Sequence, residues 1–318
     1  MSDISLRTRV LTLPHILVIV GPTASGKSAL ALEVAKLFPA EIISADSRQV
    51  YKHLTIGTAK PTEEELRSVP HHFINIREPD EKFTAGDFQE QGRTIISQIL
   101  DRKKLPIVCG GSGLYVQGLI DGFFEQPEFT KKVRSTLEAR LKKEGADALY
   151  NDLRNVDPAS AAAMDATKFR RVIRALEVYY ETGVPISQFH SNHKKDGLYN
   201  AVWIGLEWER EELYRRINSR VDGMIREGFI DEVRHLQSSG FDDRFQALQT
   251  VGYKEAYQYL RNEISYERMI ELMKQNTRRF AKRQMTWFRK EFRIQWYRIS
   301  AGKEIPIIAS KTLKKFHR

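Results

Sequence analysis

Apolar positions along the chain fall into two patterns. Residues 16–20, 41–45, 105–109 and 201–206 are short runs rich in β-branched side chains with little polar alternation. Such runs predict strands buried on both faces of a parallel sheet. Between and after them the apolar residues recur at helical spacing. Residues 85–100 place Phe88, Ile95, Ile96 and Ile99 on one side, and residues 168–182 do the same with Phe169, Val172, Ile173, Leu176, Tyr179 and Tyr180. A helix beginning near Arg210 carries Leu213, Ile217, Val221 and Met224 as its stripe. Alternation of the two patterns predicts an α/β fold, a parallel sheet flanked by helices. Residues 123–200 break that alternation with helices and polar connectors, so a helical insertion is expected there. The implied order is a first part of the core over 1–122, the insertion over 123–200, and a return to the core with basic C-terminal helices over 201–318.

Local punctuation agrees with this order. Asp157-Pro158 reads as a cap and first-turn proline, and Gly183-Val184-Pro185 ends the helix before it. Gly57-Thr58-Ala59-Lys60-Pro61 reads as a loop. His71 and His72 are adjacent and so ill placed to hold one metal from one face; a loop or packing pair is the expectation. Residues 11–20 are short and interrupted by Pro14, and the opening segment with Asp3, Arg7 and Arg9 has no long apolar run. Neither a membrane span nor a signal peptide is expected.

The first strand leads directly into Gly21-Pro22-Thr23-Ala24-Ser25-Gly26-Lys27-Ser28, which fits the spacing G-x-x-x-x-G-K-[ST]. This is a phosphate-binding loop. Its glycines let backbone N–H groups wrap an anion, the following helix presents its positive end, Lys27 adds a charge, and Ser28 can hold Mg²⁺. A diphosphate ester and a nucleoside triphosphate present similar oxygens, so the loop alone leaves its ligand open. In a parallel sheet the loops beyond the strand carboxyl ends gather at one edge, which should bring Asp46 beside this loop. There Asp46 can bind Mg²⁺, accept a proton, or cap the next helix. Ser112, within Gly110-Gly111-Ser112-Gly113, is a second candidate for the same edge, though a plain glycine turn gives the same pattern. Arg216 and Arg220, one turn apart, can each clamp an anion or pair with Glu209, Glu212 or Asp222.

Charge then adds a partner. Lys and Arg total 51 against 41 Asp and Glu, a net charge of +10 over 318 residues, more than a small-metabolite enzyme needs. Arg170, Arg171 and Arg174 share one helix face. Residues 274–298 read as one helical stretch in which Lys274, Arg278, Arg279, Lys282, Arg283, Arg289, Lys290, Arg293 and Arg298 face only Glu291. Phe280, Trp287, Phe288 and Trp296 are interleaved. Basic charge with aromatics suits single-stranded nucleic acid, although a solvated basic face over a core stripe accounts for much of the same pattern. Cys109 is the sole cysteine, which excludes a disulfide framework and fits a reducing cytosol.

Taken together, Gly21 to Ser28, Asp46-Ser47-Arg48-Gln49-Val50-Tyr51, Gly57 to Pro61, Gly110-Gly111-Ser112-Gly113-Leu114-Tyr115, Arg170 to Glu177, Val251-Gly252-Tyr253-Lys254-Glu255 and Lys282 to Arg289 resemble the tRNA isopentenyl transferase family. The resemblance spans nearly the whole chain, and the lone cysteine matches the bacterial type without a zinc-finger tail. It implies a P-loop NTPase-like core with a helical insertion domain that binds dimethylallyl diphosphate with Mg²⁺. It also implies transfer of the dimethylallyl group to N6 of the adenosine beside the anticodon in tRNAs reading codons that begin with U. Asp46 matches the carboxylate beside the target amine, Ser112 stands where the family usually has threonine, and Arg220 matches an arginine on the diphosphate, which favours it over Arg216. For tRNA contact the resemblance implies Asp46, Ser47, Arg48, Gln49, Ser112, Arg134, Arg170, Arg171, Val172, Ile173 and Arg174. It extends to Gln249, Thr250, Val251, Gly252, Tyr253, Lys254, Lys282, Arg283, Gln284, Met285, Thr286, Trp287, Phe288 and Arg289. A monomer in the cytoplasm, with no membrane partner, completes the expectation. The rival classes are a small-molecule kinase using ATP at the same loop, a transferase acting on free adenosine phosphates, and an RNA-binding protein that only switches with nucleotide.

Overall fold

The computed structural model describes residues 13–124, 131–193 and 197–316, so Asp3, Arg7 and Arg9 lie outside it. The chain divides into two compact units, Met1–Asp121 with Gly197–Arg318, and Gly122–Asp196. The first unit holds strands β1 (His15–Val20), β2 (Ala40–Ser44), β3 (His71–His72), β4 (Leu105–Gly110), β5 (Asn200–Trp208) and β6 (Gln295–Ile299). They form one sheet in the order β3-β2-β4-β1-β5-β6, every neighbouring pair parallel. Its helices before the second unit are α1 (Lys27–Leu37), α2 (Glu63–Ser68), α3 (Ala85–Asp101) and α4 (Gly113–Asp121). The second unit consists of α5 (Lys131–Glu144), α6 (Ala146–Val156), α7 (Pro158–Ala162), α8 (Phe169–Thr182) and α9 (Ile186–Asn192). The first unit resumes with α10 (Arg210–Arg226), α11 (Phe229–Ser238), α12 (Tyr253–Leu260), α13 (Tyr266–Phe288) and α14 (Ile305–Leu313).

The strands lack polar alternation because both sheet faces are covered. Ile16, Val18, Val20, Ile43 and Val108 pack into one layer with Phe88, Ile96, Ile99 and Tyr115. Their neighbours Leu17, Ile19, Ile42, Ile107 and Ile204 pack into the other with Leu30, Val34, Ile217 and Ile308. Central β1 lies between β4 and β5, so the loop that follows it opens where the strand order reverses.

Two sequence expectations need correction in this unit. His71–His72 is a short edge strand on β2 rather than a loop, and it is anchored by chemistry. The buried Glu41 carboxylate lies 2.8 Å from His72 Nε2 and accepts hydrogen bonds from Arg102 and Lys104. Burial by itself would raise the Glu41 carboxyl, but the hydrogen bonds from Arg102, His72 and Lys104 hold it at about 2. The second correction concerns residues 274–298, which are not one helix. α13 begins earlier, where the Ser265 hydroxyl accepts the Arg268 N–H at 3.2 Å, and ends at Phe288. The chain then turns and Gln295–Ile299 pairs with β5, Gly205 opposite Trp296. Arg293 secures the turn by donating to both oxygens of Asp121 at 2.7 Å and to Glu291.

In the second unit Leu149 and Leu153 of α6 pack with Val172, Ile173 and Leu176 of α8. The ends of the α8 stripe turn outward: Phe169 and Tyr180 are exposed. Buried Asp157 joins two helices, accepting the Ser160 N–H of α7 and the Ser187 N–H of α9, each at 3.0 Å. The arginines of α8 do not simply repel, because Arg174 and Arg134 share the buried Glu177 carboxylate.

Candidate active site

The loop between β1 and α1 is held from outside by side chains far away in sequence. Arg216 Nε donates to the Ala24 carbonyl at 2.9 Å, and Trp208 Nε1 to the Ser25 carbonyl at 2.9 Å. Lys27 Nζ donates to the Pro22 carbonyl at 2.7 Å. Gln284 accepts the Thr23 N–H at 2.8 Å and donates to the Gly111 carbonyl at 3.1 Å, tying the loop to the one after β4. The props fix a strained course. Ala24 has φ 62, a left-handed conformation that costs a non-glycine residue roughly 1–2 kcal/mol. Gly21 has φ 144, and a Cβ there would lie 2.6 Å from the Leu206 carbonyl oxygen. With these carbonyls taken by donors, the loop presents its amides at the start of α1 as an anion cradle.

Asp46 follows β2 and stands at the same edge. Its Oδ1 accepts the N–H of Arg48 at 2.8 Å and of Gln49 at 3.4 Å, so it does close a turn. Its second oxygen accepts no hydrogen bond among the described residues. Ser112 Oγ accepts the Ser47 N–H at 3.1 Å, joining the loops after β2 and β4. A cavity of about 160 Å³ is lined by Asp46, Ser112, Arg220, Met273, Thr277 and Phe280, among others. A smaller one of about 80 Å³ is lined by Lys27, Ser28, Asp46, Cys109, Arg220 and Gln284. Thr23, Asp46, Thr58, Arg220 and Phe280 belong to both and so form the boundary between them. A wide recess of about 790 Å³ lies along the outer side of the loop and α10.

The charges here are unusual. Burial pulls the Lys27 ammonium down to about 8; Cys109 and Asp46 oppose that, and Arg220 adds to it. Burial also lowers the Arg220 guanidinium against the pull of Asp46. Arg220 has no hydrogen bond or ion pair among the described residues. Burial outweighs the pull of Asp46 on both cations, and two poorly solvated cations are costly unless an anion completes the site. Arg216 is different: besides holding Ala24 it stacks over the Trp208 ring at 4.2 Å. Glu209, Glu212 and Asp222 pair with Arg298, Arg215 and Lys274 instead. The Cys109 thiol is pushed up to about 11 by burial, so it is neutral near pH 7 and no nucleophile.

One organising residue gave no signal in the sequence. Glu232 of α11 accepts the N–H groups of Thr55, Ile56 and Gly57 at 2.9, 2.7 and 3.1 Å, and the Tyr253 hydroxyl at 2.6 Å. It fixes the loop that brings Thr58 to the cavity. Gln49 fastens the other side, donating to the Thr58 and Ala59 carbonyls. On an amphipathic helix an Asp231-Glu232 pair reads only as solvated surface.

The sequence-derived nucleic-acid positions separate by burial. Val172, Ile173, Tyr253, Gln284 and Phe288 have buried side chains. Other positions of the set are accessible. Arg170, Arg171, Gln249, Lys254, Lys282, Arg283, Thr286, Trp287 and Arg289 are exposed. Thr250, Val251 and Gly252 line the larger cavity. The Trp287 indole lies so close to Gly113 that a Cβ there would meet it at 2.2 Å. Several cations of the basic stretch are structural: Lys274 pairs with Asp222, Arg278 donates to Asn218, and Arg293 and Arg298 are paired as described.

Comparison with known proteins agrees with this geometry. The family model for IPP transferase matches residues 49–291. A tRNA dimethylallyltransferase of Alkaliphilus oremlandii is 44% identical over 303 residues, covering 95% of this chain and 97% of that protein. The crystal structure of the full-length tRNA isopentenylpyrophosphate transferase of Bacillus halodurans superposes with a TM-score of 0.68 at 40% identity, covering 96% of this chain and 100% of that one. A eukaryotic dimethylallyltransferase captured acting on tRNA gives a TM-score of 0.81 at 29% identity, covering 95% of this chain and 80% of that one. With a cradle for phosphate, a carboxylate facing it and likeness along almost its full length, the chain belongs to the IPP transferase family.

Proposed function

We propose that the protein transfers a dimethylallyl group from dimethylallyl diphosphate to N6 of the adenosine beside the anticodon of tRNA, in tRNAs reading codons that begin with U. The observation that carries this reading is the arrangement of Lys27, Arg220 and Asp46 around two adjoining cavities, with cations on the cradle side and a carboxylate oxygen left over at the boundary.

The cradle amides, Lys27 and Arg220 take the diphosphate, and charge developing on the leaving oxygen is met by groups already in place. The exocyclic amine of adenine is a weak nucleophile because its lone pair is delocalised into the ring. Asp46 accepts a hydrogen bond from that amine and then its proton as the N6–C1 bond forms. The C1–O bond breaks with its electron pair leaving on diphosphate, so no covalent enzyme intermediate is required. A stacked base is out of reach of such a site, so the adenine enters extruded. Exposed Lys282, Arg283 and Arg289 hold the backbone around it.

Mg²⁺ suits the residues present. Ser28 and Asp46 offer hard oxygen donors on the small cavity, and no group of three or more His, Cys, Asp or Glu among the described residues could cage a metal. This is the sparse protein ligation that Mg²⁺ accepts when phosphate oxygens and water complete its shell. Bound there, it would supply charge neutralisation on the diphosphate.

The test is single-turnover transfer of radiolabel from dimethylallyl diphosphate to tRNA. Asp46→Asn retains an acceptor for the turn but not a base, and should slow transfer about 10²-fold or more, far more than it weakens tRNA binding. Transfer at the parent rate would remove Asp46 from the mechanism.

A further inference from the structure

The walls of the larger cavity are graded from charged to apolar along two helices. On α13, Gln284, Phe280, Thr277 and Met273 recur at helical spacing and form one stripe. Gln284 clamps the cradle, Phe280 lies on the boundary between the cavities, and Thr277 and Met273 line only the larger one. On α10, Arg220 belongs to both cavities, whereas Val221 and Met224 line only the larger. Each helix therefore offers polar chemistry at the cradle and a methionine at the far end. Met273 is buried, and its Cε lies 3.6 Å from where a Cβ of Gly252 would stand, with Phe229 beside it. Met224 is half-buried.

We propose that Met224 and Met273 set the length of the prenyl chain the enzyme accepts, closing the cavity behind a five-carbon group. This rests on the reading that the cradle holds an allylic diphosphate. A donor gripped at Lys27 and Arg220 has to lay its hydrocarbon across the boundary at Phe280. The polar side of the larger cavity, at Asp46, Ser47 and Ser112, is left for the purine and its amine. Val221, Met224 and Met273 remain for the hydrocarbon. Helix rise places Thr277 about 4.5 Å and Met273 about 10 Å beyond Phe280 along α13. A dimethylallyl tail ends near the first of these distances, and a geranyl tail, with ten carbons, needs the space that the methionines fill. Methionine suits such a stop because its unbranched thioether fills an irregular gap without a polar atom that requires a partner. Shortening it opens volume continuous with the cavity rather than a sealed hole. The chemistry is unchanged by chain length: N6–C1 forms, C1–O breaks, diphosphate leaves with the electron pair and the amine proton passes to Asp46.

Steady-state transfer to an anticodon stem-loop RNA should be compared for dimethylallyl and geranyl diphosphates with the parent, Met224→Ala, Met273→Ala and Met224→Phe. The parent should favour the shorter donor by at least about 10²-fold in kcat/KM, as expected for a tight apolar pocket refusing added methylenes. Each alanine variant should raise kcat/KM for geranyl diphosphate by about 10-fold or more and raise KM for dimethylallyl diphosphate. Met224→Phe should lower kcat/KM for dimethylallyl diphosphate while leaving the Kd for RNA unchanged. If Met273→Ala fails to fold, half-buried Met224 carries the test by itself. Alanine variants that still transfer five carbons but gain nothing on ten overturn the chain-length assignment, as does a parent that uses both donors equally. A parent that moves no prenyl group to RNA overturns the functional reading instead.

Discussion

The cradle edge and the helical unit spend their charges in opposite ways. In the helical unit Glu177 is shared by Arg134 and Arg174, and Arg140 is paired with Glu144 and Asp152. Those cations are satisfied within the unit and stabilise helix packing. At the cradle, Lys27 and Arg220 are both desolvated, Lys27 donates only to a backbone carbonyl, and Arg220 has no hydrogen bond or ion pair among the described residues. A folded protein retains such a cost where binding offsets it. The same contrast separates two arginines one turn apart on α10. Arg216 is committed to Ala24 and Trp208, while Arg220 makes no hydrogen bond or ion pair among the described residues.

The contrast can be broken most sharply at Arg220. Arg220→Met should lower kcat/KM for dimethylallyl diphosphate about 10²–10³-fold, the scale of a lost transition-state donor. It should leave the denaturation midpoint equal or higher, since an unpaired cation is removed. A large loss of stability would mean that Arg220 is structural.

Lys27 gives a pH signature of the same site. Its ammonium titrates near 8 in the free protein, and a bound diphosphate favours the protonated form. Affinity for dimethylallyl diphosphate without RNA should therefore fall by up to about 10-fold per pH unit above pH 8. Calorimetry in buffers of different ionisation heat should detect the proton taken up, and Lys27→Met should abolish both effects. For folding the sign reverses. Between about 8 and the ordinary lysine range the unfolded chain holds the extra proton, so the stability of the free protein rises with pH across that window.

In the helical unit the prediction concerns stability. Glu177→Gln should cost about 1–2 kcal/mol in denaturant unfolding, less than a fully buried pair because both arginines are partly exposed. Transfer of a prenyl group to a minimal RNA should hardly change. The smallest effect is expected on the outer face of α13. Arg283→Ala or Arg289→Ala should each reduce the salt slope of tRNA binding by about 1, measured as log Kd against log salt.

Much of the fold was legible because its signals are local. β-branched runs gave the four long inner strands, and a fixed spacing of glycines, lysine and serine gave the cradle. Parallel topology then brought Asp46 and Ser112 to the same edge. β6 was missed because Trp296 and Arg298 continue the basic aromatic composition of α13, and composition does not mark where a helix turns into a strand. Only the pairing of Arg293 with Asp121 and the ladder with β5 make that change. Glu232 and the loop-propping role of Gln284 escaped for a related reason, since an acid or amide on a helix looks the same whether it faces water or a backbone loop far along the chain.

By itself the sequence determined which backbone could cradle phosphate and which strand would precede it, because those requirements lie within a dozen neighbouring residues. The tertiary structure decided which arginine has no ion pair, which glutamine props the loop and which methionines line the cavity. Each of those outcomes depends on desolvation and on partners supplied by distant segments, and neither is encoded by spacing along the chain.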